Sequence, residues 1–119
     1  MYYRAVHRYA DMSPRKIRPV ADLIRGRDAD EALELLRYLP SRSARLVEQV
    51  LKSALGNAID QGNTRDDLIV SEARVDGGPI MKRIQPRARG TAYPIKRRYS
   101  HIHVVVWDGV NEPEPQAEA

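Results

Sequence analysis

The chain has no cysteine, which excludes disulfide bonds and thiol catalysis. No apolar run approaches the length of a membrane span. The opening Met1-Tyr2-Tyr3-Arg4 lacks the apolar core of a signal peptide, so a soluble cytoplasmic protein with no membrane partner is expected. No nucleophile elbow, phosphate-binding glycine loop or paired catalytic motif is visible, so neither an enzyme nor a cofactor is expected. One further absence is local. Between Gly78 and Ser100 there is no acidic residue and little large apolar side chain.

That stretch holds seven bases, Lys82, Arg83, Arg87, Arg89, Lys96, Arg97 and Arg98, and three prolines, Pro79, Pro86 and Pro94. It cannot bury itself, because its cations would lose hydration without gaining partners. Strand signals flank it, at Leu68–Val75 and Ile102–Trp107. If those strands pair, the stretch between them becomes an arm whose legs reach about 40 Å at ~3.3 Å per residue. A two-stranded ribbon is marginal in water. The arm is therefore expected to take its final shape on a polyanion. Tyr93 and Tyr99 add faces that stack on bases, which points to RNA.

Charge is segregated along the 119 residues, whose overall net charge is +4. Residues 1–27 hold seven bases and two acids, 28–76 six bases and ten acids, and 77–108 seven bases and one acid. Basic ends thus flank an acidic middle, the footprint of a nucleic-acid binder more than of a uniformly charged surface.

Residues 2–10 read as a strand, with Tyr3, Ala5, His7 and Tyr9 on one face. Ser13-Pro14 reads as a helix start, and Ile17, Val20, Ala21 and Ile24 as its buried stripe, ending at Gly26. Pro19 inside it predicts a kink or a tight, irregular first turn. Asp28 and Glu31 stand in capping-box register for a second helix with stripe Ala32, Leu35, Leu36 and Leu39, stopped by Pro40. Ser41 caps a third helix running to about Gln61, with Val47, Val50, Leu51, Ala54, Leu55 and Ala58 inward. The expected fold is α+β: a small three-stranded antiparallel sheet packed against three helices, with a long protruding basic β-hairpin. Residues 1–108 are expected to form one domain, with the arm at 78–100. The acidic, proline-containing 109–119 is expected to be a disordered tail.

His7, His101 and His103 could in principle make a zinc site, but no carboxylate or thiol stands in ligand spacing beside them. Polar residues at a solvent or RNA boundary are the plainer reading, and no metal is expected. Asp66-Asp67 precede a strand, where adjacent acids serve as turn residues more often than as a catalytic pair.

From Val75 the chain reads VDGGPIMKRIQPRARGTAYPIKRRYSHIHVVV. This closely resembles the signature of the universal large-subunit ribosomal protein L22 family, in its bacterial form. Ser13 to Gly26 and the helix with Leu51, Ser53, Ala54, Asn57 and Ala58 resemble two further blocks of that family in the same order. Gly77 stands where the family commonly has Glu, Thr91 where Arg is common, and Tyr99 in place of a usual Thr. The resemblance implies a structural constituent of the large ribosomal subunit that binds large-subunit (23S) rRNA early in assembly. It implies a hairpin tip in the polypeptide exit tunnel, involved in macrolide response and nascent-chain stalling. Its implied partners are rRNA, other large-subunit proteins and the nascent polypeptide. The tunnel-facing tip would be Arg87, Ala88, Arg89, Gly90 and Thr91. The expected rRNA-binding residues are Arg4, Arg8, Ser13, Arg15, Lys16, Arg18 and Arg25 near the start. In and beside the arm they are Lys82, Arg83, Arg87, Arg89, Lys96, Arg97, Arg98, Tyr99 and His101. The rival reading is a free RNA chaperone or regulator acting off the ribosome.

Overall fold

The computed structural model describes residues 2–62, 68–86, 88–90 and 92–108, with residues 83 and 92–95 described by backbone alone. The elements are β1 (Tyr2–Ala10), α1 (Pro14–Ile24), α2 (Ala29–Tyr38), α3 (Arg42–Asp60), β2 (Ile69–Pro86) and β3 (Ala92–Trp107). A short 3-10 turn, Ala88–Gly90, lies between the last two. The strands form one antiparallel sheet in the order β1-β3-β2. The expected tail, 109–119, lies outside the described residues, as do Asp66 and Asp67.

Pairing runs from Tyr2↔Trp107 to Ala10↔Ser100 on one side of β3 and from Ile69↔Trp107 to Pro86↔Ala92 on the other. Above Ser100 only β2 and β3 continue, so a three-stranded body narrows to a two-stranded arm. The molecule is accordingly elongated, 63 × 34 × 21 Å. Its radius of gyration, 17.2 Å, exceeds the ~13 Å of a compact chain of this size.

Helices cover one face of the sheet. Tyr3, Ala5, Val70, Ala73, Val75, Ile102, Val104 and Val106 are buried there with the stripes of α1 and α3. Each fully buried aliphatic side chain contributes roughly 1.5–3 kcal/mol. In α1 the stripe is as expected, and the helix continues through Pro19. Its first turn is tight, with Lys16 N–H donating to the Ser13 carbonyl (3.1 Å). Ser13 takes the extended N-cap conformation without a side-chain capping bond. Ser41 does cap α3, its Oγ accepting from Ala44 N–H (3.2 Å).

Three local expectations are corrected. In α2 the buried stripe is Ala29, Ala32, Leu33 and Leu36, while Leu35 and Leu39 are only partly buried. The helix is rotated so that Leu33 faces inward. Asp28 makes no capping bond. Its capping-box partner Glu31 is engaged by Arg27 instead (2.7 Å). Tyr9 does not share the face of Tyr3 and Ala5, because the β1–β3 register shifts between His7 and Ala10. Its φ is 58° and it stands 63% exposed.

Side chains from the helices finish the sheet and the helix ends. The outward carbonyls of Val75 and Ala73 on β2 accept from Arg18 Nε (3.2 Å) and Arg25 Nη2. Gly26, at φ 82°, turns the chain after α1 so that its N–H meets the Val70 carbonyl (2.9 Å). On the β1 edge, Asn57 donates to the Arg4 carbonyl (2.8 Å). At the α2–α3 corner, Arg45 donates to the carbonyls of Leu36, Arg37 and Leu39, the unpaired end of α2, and pairs with Glu48 (2.7 Å). Hydrogen bonding from Lys52 holds the Glu48 carboxyl below its ordinary value against the opposing effect of burial.

The arm's root is built around Gly78 and Ser100. The β2–β3 register shifts by one residue between Gly77 and Ile80, a bulge that admits Pro79, which has no N–H to give the ladder. A Cβ on Gly78 would lie 2.9 Å from the Tyr99 carbonyl oxygen, a backbone atom that cannot step aside. Ser100 is fully buried and its hydroxyl donates to the Met12 carbonyl. We expect Gly78→Ala to cost about 1–3 kcal/mol. Ser100→Ala, which strands a buried carbonyl, should cost about 1–2 kcal/mol. Chemical denaturation of each variant checks both, and wild-type stability in either would contradict the packing described.

Candidate nucleic-acid interface

The strongest concentration of charge is a cleft of about 710 Å³ between the start of α1 and the β3 leg of the arm. Arg15, Lys16 and Arg18 line one wall, Lys96, Arg97 and Arg98 the other. These two groups are some eighty positions apart in the chain. The pairing of Ala10 with Ser100 and the Ser100–Met12 bond bring them together. Among the described residues, Asp11 is the one acid on the cleft wall. Arg97 donates to both its carboxylate oxygens (3.1 and 2.6 Å), and Arg42 stands 3.6 Å away. The Arg97 hydrogen bonds hold the Asp11 carboxyl below its ordinary value, so it is ionised at neutral pH. With six cations facing one carboxylate, the cleft has strong positive potential and can take a line of phosphates.

The expected RNA-binding residues fall into distinct situations. Arg15, Lys16, Lys96 and Arg98 are exposed in the cleft, with Ser13 at its rim. Arg18 and Arg25 are partly committed to the β2 edge, and Arg25 also pairs with Asp22 (2.9 Å). Lys82 is exposed on the β2 leg. Arg87 and Thr91 lie outside the described residues, and the side chain of Arg83 is likewise not described. Ala88, Arg89 and Gly90 form the far turn, with Arg89 at φ 65° and Gly90 at φ 70°. Tyr99 is half-buried at the root, opposite the Gly78 bulge.

Arg4, Arg8 and His101 belong to a second region, the sheet face that no helix covers. Residues directly opposed in an antiparallel ladder share a face. Val6↔His103 and Arg74↔His103 therefore place these residues on that outer face, whereas His7↔Ile102 puts His7 on the helix-covered face. The three histidines do not converge. Tyr2 and Trp107 stack at 6.1 Å on the outer face, and Val105 is buried beside them. His103 Nε2 lies 3.2 Å from Asp76 Oδ2. Burial, and then the neighbouring Arg74, outweigh the attraction of Asp76, so the imidazole's pKa is lowered.

Sequence reasoning missed Asp11 and Tyr9. Asp11 is the one acid in residues 1–21 of the sequence, and that was the available signal for it. Nothing in the residue pattern foretold the bulge that turns Tyr9 outward.

The sequence profile of ribosomal protein L22p/L17e matches residues 5–107. The chain belongs to this family. Among curated relatives, the large ribosomal subunit protein uL22 of Rhodopirellula baltica is 54% identical over 108 residues, covering 86% of this chain and 91% of the relative. Those of Acetivibrio thermocellus and Caldicellulosiruptor saccharolyticus are 52% and 50% identical, covering 87% and 86% of this chain and 83% and 84% of theirs. As an L22-family protein the chain has its two basic blocks inside the matched region, joined here into one cleft.

A pH dependence follows from His103. The unfolded chain's imidazole titrates near 6.5, and the folded protein binds that proton less tightly. This contribution to stability is fully present above pH 6.5 and is lost as pH falls below it. We expect the melting temperature to decline between pH 7.5 and 5.5, and His103→Gln to flatten that decline. An unchanged slope in the variant would count against a neutral buried ring.

Proposed function

We propose that the chain is a structural constituent of the large ribosomal subunit whose cleft and arm hold large-subunit rRNA. The observation that carries this reading is the convergence of the α1 and β3 cations on one cleft. Membership in the L22 family and relatives named as large ribosomal subunit proteins support it. The protein is not an enzyme, and its place is the ribosome in the cytoplasm, beside rRNA and other ribosomal proteins. The cleft cations fix phosphate positions, and the long arm reads the shape of folded RNA. The arm's far turn, with Arg87 to Thr91, lines the exit tunnel and meets the nascent polypeptide, a reading supported by the family resemblance and the 63 Å length. Residues 1–108 act as one unit.

Three measurements test this. With six or seven phosphate contacts, log K for an rRNA fragment should fall against log salt with a slope of roughly −4 to −6. Lys96→Ala should weaken binding uniformly and make the slope shallower by about 1. A slope near zero would remove the cleft from the interface. Deleting 88–92 should leave subunit incorporation intact, since loop tips outside a core tolerate deletion, while altering macrolide sensitivity. Unchanged sensitivity would take the tip out of the tunnel wall. Cosedimentation with the large subunit at high salt separates the ribosomal role from that of a free RNA chaperone.

A further inference from the structure

The outer sheet face carries a depression of about 330 Å³, separate from the cleft. Val6, Tyr9 and His101 line it, and Arg4, Arg8 and Arg74 add positive charge against Asp76, the one acid among the described lining residues. At that size it holds a single nucleotide and not a duplex groove.

Tyr9 is the unusual element. A non-glycine residue at φ 58° is uncommon, and such strain persists only where the surroundings enforce it. Here they do. The Tyr9 N–H donates to His101 Nδ1 (3.1 Å), and the two rings meet edge to face at 5.0 Å. The bulge ejects the tyrosine from the core side of β1, and His101 then holds it. The same hydrogen bond makes Nδ1 the acceptor, so the neutral ring carries its proton on Nε2 and presents it as a donor. Arg74 Nε lies 3.3 Å from Asp76 Oδ2 but in poor geometry, and is buried without a hydrogen bond among the described residues.

We propose that this depression binds one unpaired RNA base, stacked on Tyr9, with the His101 Nε2–H and the surrounding arginines reading its edge and phosphate. The inference rests on the reading of the chain as an rRNA-binding ribosomal protein, but it uses a different surface. A flat aromatic with an exposed ring, a fixed donor beside it and flanking cations is what single-stranded recognition requires, since base faces are available only outside a helix. A protein partner on this face is the competing occupant.

The test uses the full chain with two probes: a single-stranded oligoribonucleotide carrying one 2-aminopurine, and a fully paired RNA hairpin stem. Wild-type protein should quench the 2-aminopurine on binding. Tyr9→Leu should weaken the single-stranded probe by about 5- to 150-fold and abolish quenching, leaving stem affinity unchanged. Tyr9→Phe should keep both affinity and quenching. Lys96→Ala should weaken both probes. Quenching and affinity unaltered in Tyr9→Leu, or no quenching by wild-type protein, would overturn the proposal. The latter would favour a protein on this face. Loss of the Tyr9 effect with the Lys96 effect intact refutes only this site, and the reverse refutes only the cleft.

Discussion

A two-stranded ribbon carries too little apolar surface to hold its own shape in water. The arm therefore depends on the place where three strands become two. There the Ser100 hydroxyl is tied to the Met12 carbonyl and Arg97 is clamped by Asp11. The Met12 segment is itself held by Ser43 of α3, whose Oγ lies 2.9 Å from the Met12 sulfur and donates to the Lys16 carbonyl (3.1 Å). Through these few bonds the helical body sets the direction of an arm whose own residues gain almost nothing from burial. The same bonds form the cleft, because what anchors β3 to the β1–α1 turn also brings the two basic groups face to face.

The fold resolves a conflict set by the composition. Twenty Lys and Arg side chains must stay near water or anions while 119 residues assemble a core. The core is made almost entirely of aliphatic stripes from three helices and alternate residues of three strands. Several arginines also donate to backbone carbonyls. Arg45 at the end of α2 is the fullest case, since it meets three carbonyls and a carboxylate. Charge-assisted contacts of this kind satisfy carbonyls that the helix end leaves without partners.

Much of this was legible from the residues. The stripes of α1 and α3 follow simple periodicities, and the structure places them as expected. The arm was legible as an absence, through its want of acids and large apolar groups. What was not legible depended on contacts between distant segments. Leu33 and Leu35 are equally apolar, and only the seating of α2 on α3 decides between them. The capping box of Asp28 and Glu31 gave way to Arg27, an exposed competitor one residue upstream. The bulge at Tyr9 is set by β3, more than ninety positions away. Cations could be counted in the sequence, but which of them face RNA and which face their own backbone could not.

Arg18 and Arg25, expected to contact RNA, also reach the outward carbonyls of β2. Those carbonyls, with the neighbouring amides, would otherwise offer a strand edge to any extended chain that came near. The edge lies on the body of a protein that is synthesised apart from the RNA it is to bind. Occupying it with charged side chains from the adjacent helix makes a second copy a poor partner.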